Sequence, residues 1–429
     1  EGPEDRGGGA LARELREQGR LPLSVSMIAA SRSFVRAVST ASSASPVRRY
    51  CGIITTASSP HASSSANTKH CIPSASRALR PGTLSLAAPA TRAPCAERAM
   101  STSGGGPFRV VVTRNIPECA LKMLRDIPGA EVSVYPHRDR AMPREEIKEQ
   151  LAKGCDALLC LLTDKVDGEL VDAAGGRLKL VSTMSVGFNH VDTGALKTRS
   201  ISLGYTPDCL TETTADTTVM LLMATARRLG EAIASVRDGS WGTWDPLWMC
   251  GKDVHSSTVG IVGFGRIGQA VARRLKAFGC EIIYTGPRPK AEAESVGAVF
   301  VSEQELFQRA DFVVPMFPLN EHTRGYFNLE RFKMMRKDAI FINATRGEVV
   351  VQEDLVTALK TGEIAAAGLD VTVPEPLPVD SPLLTLPNCV VLPHIGSATV
   401  ATREKMATMA AANVVAMAKG DPLPFMAKL

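Results

Sequence analysis

From Phe108 onward, apolar residues fall into short runs separated by stretches with a helical period. RVVVTR, EVSVYP, DALLCLL and LKLVSTMS read as strands, with PECALKMLRDI, REEIKEQLAKG and ELVDAAGG as the helices between them. Runs this apolar suit strands buried on both faces, hence a parallel sheet covered by helices on either side. A second series repeats the scheme: STVGIVG, EIIYTG, ADFVVPMF, DAIFINATRG, IAAAGLDVT and NCVVLPHIG. Between the two, TETTADTTVMLLMATARRLGEAIASVRDG predicts one long helix, with Thr211 as N-cap and Glu212 to Asp216 placing negative charge in its first turns. No internal repeat of fixed period is present. The fold class predicted is α/β.

Before Gly106 this pattern stops. Residues 1 to 106 hold 13 Lys/Arg against 6 Asp/Glu, so they carry +7, and the other 323 residues sum to −2 within the overall +5. A nucleic-acid partner is therefore not expected for the body of the protein. Between Glu17 and Glu97 there is no acid, while eight Arg and Lys69 occur among many Ser, Ala and Thr. That is transit-peptide composition, clearest from Met27 through SRSFVRAVSTASSASPVRRY, where Phe34, Val35 and Val38 share a helical face. Two readings stand open for residues 1–106: a mitochondrial leader, or a non-native extension with Met100 as the start. Both make it a disordered segment outside the fold, and they leave the compartment as cytoplasm or mitochondrial matrix. No run of about 18 apolar residues occurs, so no membrane span is expected. The ten cysteines form no CxxC pair and read as buried free thiols in a reducing compartment, with no metal site.

GFGRIG is the most informative short motif, because it directly follows the strand VGIVG and opens the helix QAVARRLKAFG. Gly263 permits a tight turn, Gly265 lets a pyrophosphate approach the backbone, and Gly268 lets helix and strand pack closely. The helix N-terminus then holds phosphate charge. The competing reading is a merely tight strand-to-helix turn. An NAD site would place an acid about 20 residues on, bonded to the 2′-hydroxyl. Here EIIYTG runs instead into Pro287, Arg288, Pro289 and Lys290, which favours a 2′-phosphate and NADPH, with NADH the weaker alternative.

Three further residues follow strand signals and carry chemistry: Arg346 after FINAT, Glu375 in the Pro-rich turn after GLDVT, and His394 after CVVLP. Open α/β sheets place ligands at these carboxyl ends. Each alone is more often structural; the set, aligned with the nucleotide turn, is harder to dismiss.

From about Phe108 to Leu429 the chain resembles the D-isomer-specific 2-hydroxyacid dehydrogenases, and within them the animal members that reduce glyoxylate and hydroxypyruvate. GFGRIGQAVARRL, FINATRGEVV, AAAGLDVTVPEPLP and LPHIGSAT carry the resemblance, with STMSVGFNHVD, GYTPDCLTETTAD and SWGTWDPLWMCG. It implies two Rossmann-like doubly wound domains: residues 207–393 for the nucleotide, inserted into a discontinuous substrate domain of residues 107–206 and 394–429. It implies that Arg346 clamps the substrate carboxylate, His394 gives the proton, and Glu375 tunes His394. Backbone N–H groups of Val186 and Gly187 would hold the carboxylate, while Ile395, Gly396 and Ser397 would line the substrate. Asp370 and Gly396 would face substrate and nicotinamide. Gly265, Arg266 and Ile267 would lie on the pyrophosphate, with Pro318 and Ala344 lining the cofactor cleft.

The activity implied is NADPH-dependent reduction of small 2-oxoacids, glyoxylate to glycolate and hydroxypyruvate to D-glycerate, by a homodimer. Trp241, Trp244 and Trp248 are spaced as a helical stripe, which suits packing or a dimer surface; the resemblance puts this arm against the partner subunit, with Trp244 the one reaching its active site. A phosphoglycerate dehydrogenase is disfavoured, because many carry a regulatory domain and only 35 residues follow His394. Formate dehydrogenases pair their histidine with Gln rather than Glu. A corepressor of the C-terminal binding protein type would keep a similar trio and add peptide-binding features. Three positions depart from the family's common pattern: Asn320 stands for Thr, and Phe188 with Asn189 for an aliphatic and acidic pair. None is expected to touch the trio.

Overall fold

The computed structural model describes residues 106–429. The reading of residues 1–106 as a leader lies outside the described residues, save Gly106. Five parallel strands, β1 (Phe108–Val112), β2 (Ala130–Val134), β3 (Ala157–Cys160), β4 (Leu180–Thr183) and β5 (Ser202–Gly204), form a first sheet in the order β2-β1-β3-β4-β5. Helices α1 (Glu118–Arg125), α2 (Arg144–Ala152), α3 (Gly168–Asp172) and α4 (Thr193–Thr198) connect them. Successive strand residues point to opposite faces. Val111, Leu158, Val181 and Leu203 therefore pack on one side with Leu151, Leu170 and Leu196, and Val110, Val112, Leu159 and Leu180 on the other with Leu121 and Leu124.

Two helices then lead away, α5 (Thr211–Ala226) and α6 (Leu229–Asp238). The single long helix predicted here is broken at Arg228, whose φ of 53° is left-handed and ends the α-helical path. Thr211 is the first helical residue rather than the cap: Leu210 caps α5, with no side-chain hydrogen bond.

The second sheet has seven parallel strands: β6 (Thr258–Val262), β7 (Glu281–Thr285), β8 (Val299–Phe300), β9 (Phe312–Pro315), β10 (Ile340–Asn343), β11 (Ala366–Leu369) and β12 (Cys389–Val391). Their order is β12-β11-β10-β9-β6-β7-β8, so the winding direction reverses between β6 and β9. Ligands of open α/β sheets bind at such a switch point. Helices α5 and α7 (Arg266–Ala277) cover one face through Leu221, Leu222, Val271 and Leu275. The other face is covered by α8 (Glu303–Arg309), α9 (Leu329–Met334) and α10 (Gln352–Thr361), through Leu306, Phe307, Phe332, Leu355 and Leu359.

The last helix, α11 (Val400–Lys419), returns to the first sheet, packing against β4, β3 and α1, with Met406, Ala410, Ala411 and Val414 in the shared core. Ser182 donates its hydroxyl to Ala410 O, and Ala427 N donates to Leu203 O. At Gly204 the helix comes close enough that a Cβ there would lie 2.5 Å from the Asn413 amide nitrogen. The chain thus crosses between lobes twice, from β5 to α5 and from β12 to α11.

Candidate active site

All strands of the second sheet run the same way, so the turns after β6, β7, β9, β10, β11 and β12 gather at one edge. The glycine turn follows β6. Gly263 has φ +89°, and a Cβ there would come within 2.7 Å of Met316 O; a Cβ on Gly268 would come within 2.8 Å of Gly263 O. Gly265, the N-cap of α7, differs: nothing lies within 4 Å of where its Cβ would be. The free N–H groups of the first helical turn therefore open onto empty space, as phosphate binding requires. The Arg266 side chain pairs with Asp208 Oδ1 at 2.5 Å, which leaves its backbone as the group available to a phosphate.

After β7, the hydroxyl of Tyr284 accepts from Lys290 N at 2.8 Å and pins the turn holding Pro287, Arg288 and Pro289, which are exposed. Among the described residues neither Arg288 nor Lys290 has a carboxylate within 4.0 Å. Pro318 lies exposed in the turn after β9, and Ala344 directly follows β10.

Arg346, Glu375 and His394 converge on one cavity of about 210 Å³, shared with Asn189, Thr163 and Leu162 from the first lobe. His394 Nδ1 lies 2.7 Å from Glu375 Oε2, and the other carboxylate oxygen accepts from Thr372 N at 3.1 Å. Burial alone would push Glu375 up; the His394 contact outweighs it and holds the carboxyl below its usual range. Burial lowers the Arg346 guanidinium, against the pull of Glu375 and Glu348, yet Arg remains charged.

His394 has φ +55°, a left-handed conformation that non-glycine residues seldom adopt. Asp370 shows what holds that turn. It is 1% exposed, and its carboxylate accepts from Ile395 N at 2.8 Å and Gly396 N at 2.7 Å. Residue spacing had suggested no such role. Ser397, buried, continues the same turn toward α11.

From the first lobe comes the loop after β4. Ser185 Oγ donates to Gly187 O at 2.8 Å, and among the described residues the backbone N–H groups of Val186 and Gly187 have no protein acceptor. A Cβ on Gly187 would sit 2.5 Å from Arg346 Nη2, so a larger residue there would displace the tip of the guanidinium. The expectation that Asn189 leaves the trio untouched is corrected: its Oδ1 accepts from Arg346 Nε at 3.2 Å. His190 is half-buried with Nε2 3.0 Å from Thr183 Oγ1. Burial, aided by the Arg346 charge, pushes it down to about 4, so it is neutral.

Trp241, Trp244 and Trp248 do not form the expected helical stripe. Residues 240–249 are turn and irregular backbone beyond the end of α6, and Trp244 is 82% exposed and outside this cavity. Cys119 and Cys250 are exposed, which corrects the reading of all cysteines as buried.

A family model for the NAD binding domain of D-isomer specific 2-hydroxyacid dehydrogenases matches residues 219–396. The human glyoxylate reductase/hydroxypyruvate reductase is 50% identical over 324 residues, 75% of this chain and 98% of that protein. The chain belongs to the D-isomer specific 2-hydroxyacid dehydrogenases. It is an oxidoreductase with the NAD binding domain of that family, and the glycine turn and the sheet order agree with such a domain. A glyoxylate reductase of Thermococcus kodakarensis is 44% identical over 321 residues, covering 74% of this chain and 95% of that protein. Among solved structures, an NADPH-dependent glyoxylate/hydroxypyruvate reductase of Sinorhizobium meliloti in complex with NADP and malonate matches with TM-score 0.65 and 30% identity. That match covers 75% of this chain and 97% of the other.

Proposed function

We propose that this dehydrogenase reduces small 2-oxoacids with NADPH, converting glyoxylate to glycolate and hydroxypyruvate to D-glycerate. The observation that carries the reading is the meeting, in one cavity of about 210 Å³, of the His394–Glu375 pair with Arg346, beside the unpartnered N–H groups of Val186 and Gly187. The volume suits a substrate of a few heavy atoms, well below the roughly 300 Å³ where drug-sized sites begin.

The glycine turn would hold NADPH, which when bound would supply a hydride for C2. Gly265, Arg266 and Ile267 offer backbone N–H groups to the pyrophosphate, and Arg288 and Lys290, lacking carboxylate partners, suit the 2′-phosphate. Pro318, Ala344 and the Asp370–Gly396 turn would line the nicotinamide end.

The substrate carboxylate accepts from the Val186 and Gly187 N–H groups and from Arg346, whose charge also favours the negative charge that builds on the C2 oxygen. Glu375 takes the Nδ1 side of His394, which leaves the proton to be given at Nε2. Protonated His394 donates that proton to the C2 oxygen as general acid, and Glu375, at its Nδ1, holds the ring in orientation. Closure of the two lobes about the crossings from β5 to α5 and from β12 to α11 excludes water from the site.

The relatives support the substrate class by name, and the Sinorhizobium enzyme is itself described as NADPH-dependent. A second copy of the chain is the partner we assign to the exposed apolar face of α6, with Leu229, Ile233 and Val236, and to the tryptophan arm, from which Trp244 reaches the partner's site. Compartment follows from the N-terminus: processing of the leader places the enzyme in the mitochondrial matrix, translation from Met100 in the cytoplasm. The test of the chemistry is His394→Ala. It should abolish hydroxypyruvate-dependent NADPH loss while nucleotide binding persists; turnover near the wild-type rate would exclude His394 as the acid.

A further inference from the structure

Arg346 is the cation of the cavity, and everything that meets it from the first lobe is neutral. Its Nε donates to Asn189 Oδ1 at 3.2 Å, its Nη1 donates to Thr345 O at 2.8 Å, and its Nη2 lies over Gly187. The guanidinium plane is therefore held from both lobes at once. Among the described residues no carboxylate stands within 4.0 Å of it; Glu375 and Glu348 act only from farther off, on its own lobe. The next loop residue, His190, is tied to Thr183 and uncharged beside it. The loop thus offers Arg346 an amide oxygen, a neutral imidazole and backbone N–H groups, but no anion.

We propose that Asn189 is a positioning residue whose neutral amide fixes the Arg346 guanidinium across the two lobes and leaves its charge to be balanced by the substrate carboxylate. An aspartate in the same place would keep the geometry and supply a resident counter-ion, so a carboxylate ligand would have to compete with it. The inference rests on reading Arg346 as a carboxylate clamp, and not on which 2-oxoacid is reduced.

Asn189→Asp is isosteric and changes only charge, whereas Asn189→Ala removes the hydrogen bond without adding charge. Oxalate, a carboxylate the enzyme cannot reduce, is titrated calorimetrically into the full-length wild type and both variants with NADP present. Asn189→Asp should weaken oxalate at least tenfold, about 1.4 kcal/mol, and Asn189→Ala markedly less. Nucleotide affinity and melting temperature should stay at wild-type values in both. In turnover, the KM for glyoxylate should rise in Asn189→Asp far more than kcat falls. Oxalate affinity within twofold of wild type in Asn189→Asp would overturn the proposal, as would an equal loss in Asn189→Ala, or no oxalate binding by the wild type. A wild type that binds oxalate with the predicted variant ranking yet reduces no 2-oxoacid would refute the proposed function and support this inference.

Discussion

The three glycines of the nucleotide turn look equivalent in sequence and are predicted to fail differently when replaced by alanine. Gly263→Ala forces an L-residue to φ +89° and sets a methyl 2.7 Å from the backbone oxygen of Met316. The conformation costs about 1–2 kcal/mol, and the backbone shift needed to relieve the contact a further 1–3 kcal/mol or so. At roughly 2–4 °C per kcal/mol, the melting temperature should fall by about 4–20 °C. Gly268→Ala meets Gly263 O at 2.8 Å and should fall in the same direction.

Gly265→Ala meets nothing within 4 Å. It loses only an N-cap preference worth under about 1 kcal/mol, so melting should drop by less than about 4 °C. Its methyl, however, stands where the pyrophosphate must approach, so nucleotide affinity should weaken at least tenfold, about 1.4 kcal/mol. Thermal melting of the nucleotide-free proteins and fluorescence titration with NADPH separate the two effects. A Gly265→Ala protein that binds NADPH normally, or a Gly263→Ala protein that melts like wild type, would refute the division of roles.

Three further outcomes are expected. Glu375 is held below its ordinary value of 4.5, so the stability it contributes is present above that pH and lost as pH falls below it. Melting temperature followed from neutral pH into this acid range should therefore decline less steeply in Glu375→Gln than in wild type, and equal slopes would contradict the pairing. Replacing Arg288 and Lys290 together by Ser should raise the KM for NADPH about tenfold or more while barely moving that for NADH; equal effects on both cofactors would remove the 2′-phosphate assignment. Light scattering should give the mass of a dimer, and changing Ile233 and Val236 to Asp should yield monomers; a monomeric wild type would leave the apolar face of α6 without its proposed partner.

Local pattern carried most of the fold. The buried strands read directly because a parallel sheet needs unbroken apolar runs, and the glycine turn read because its three constraints act within six residues. Glu375 and His394 were visible as polar side chains stranded at strand ends. What escaped was whatever depends on distant partners. Asn189 and Arg346 are 157 positions apart and meet only because the two lobes face each other. Asp370 holds the His394 turn through backbone groups that have no sequence signature. The break at Arg228 escaped because the helical period runs through it unchanged, and only the left-handed φ records the turn. In the tryptophan arm the error ran the other way: helical spacing occurs in a segment that forms no helix, because residues 240–249 have almost no core to pack against.

The measurement that bears most directly on the account is steady-state turnover of the purified full-length chain with hydroxypyruvate, following NADPH absorbance and the chirality of the product. The predicted result is substrate-dependent loss of NADPH with formation of D-glycerate, and a parallel reaction with glyoxylate. No loss of NADPH with either acid, or formation of L-glycerate, would contradict the assignment of Arg346, Glu375 and His394 to this reaction.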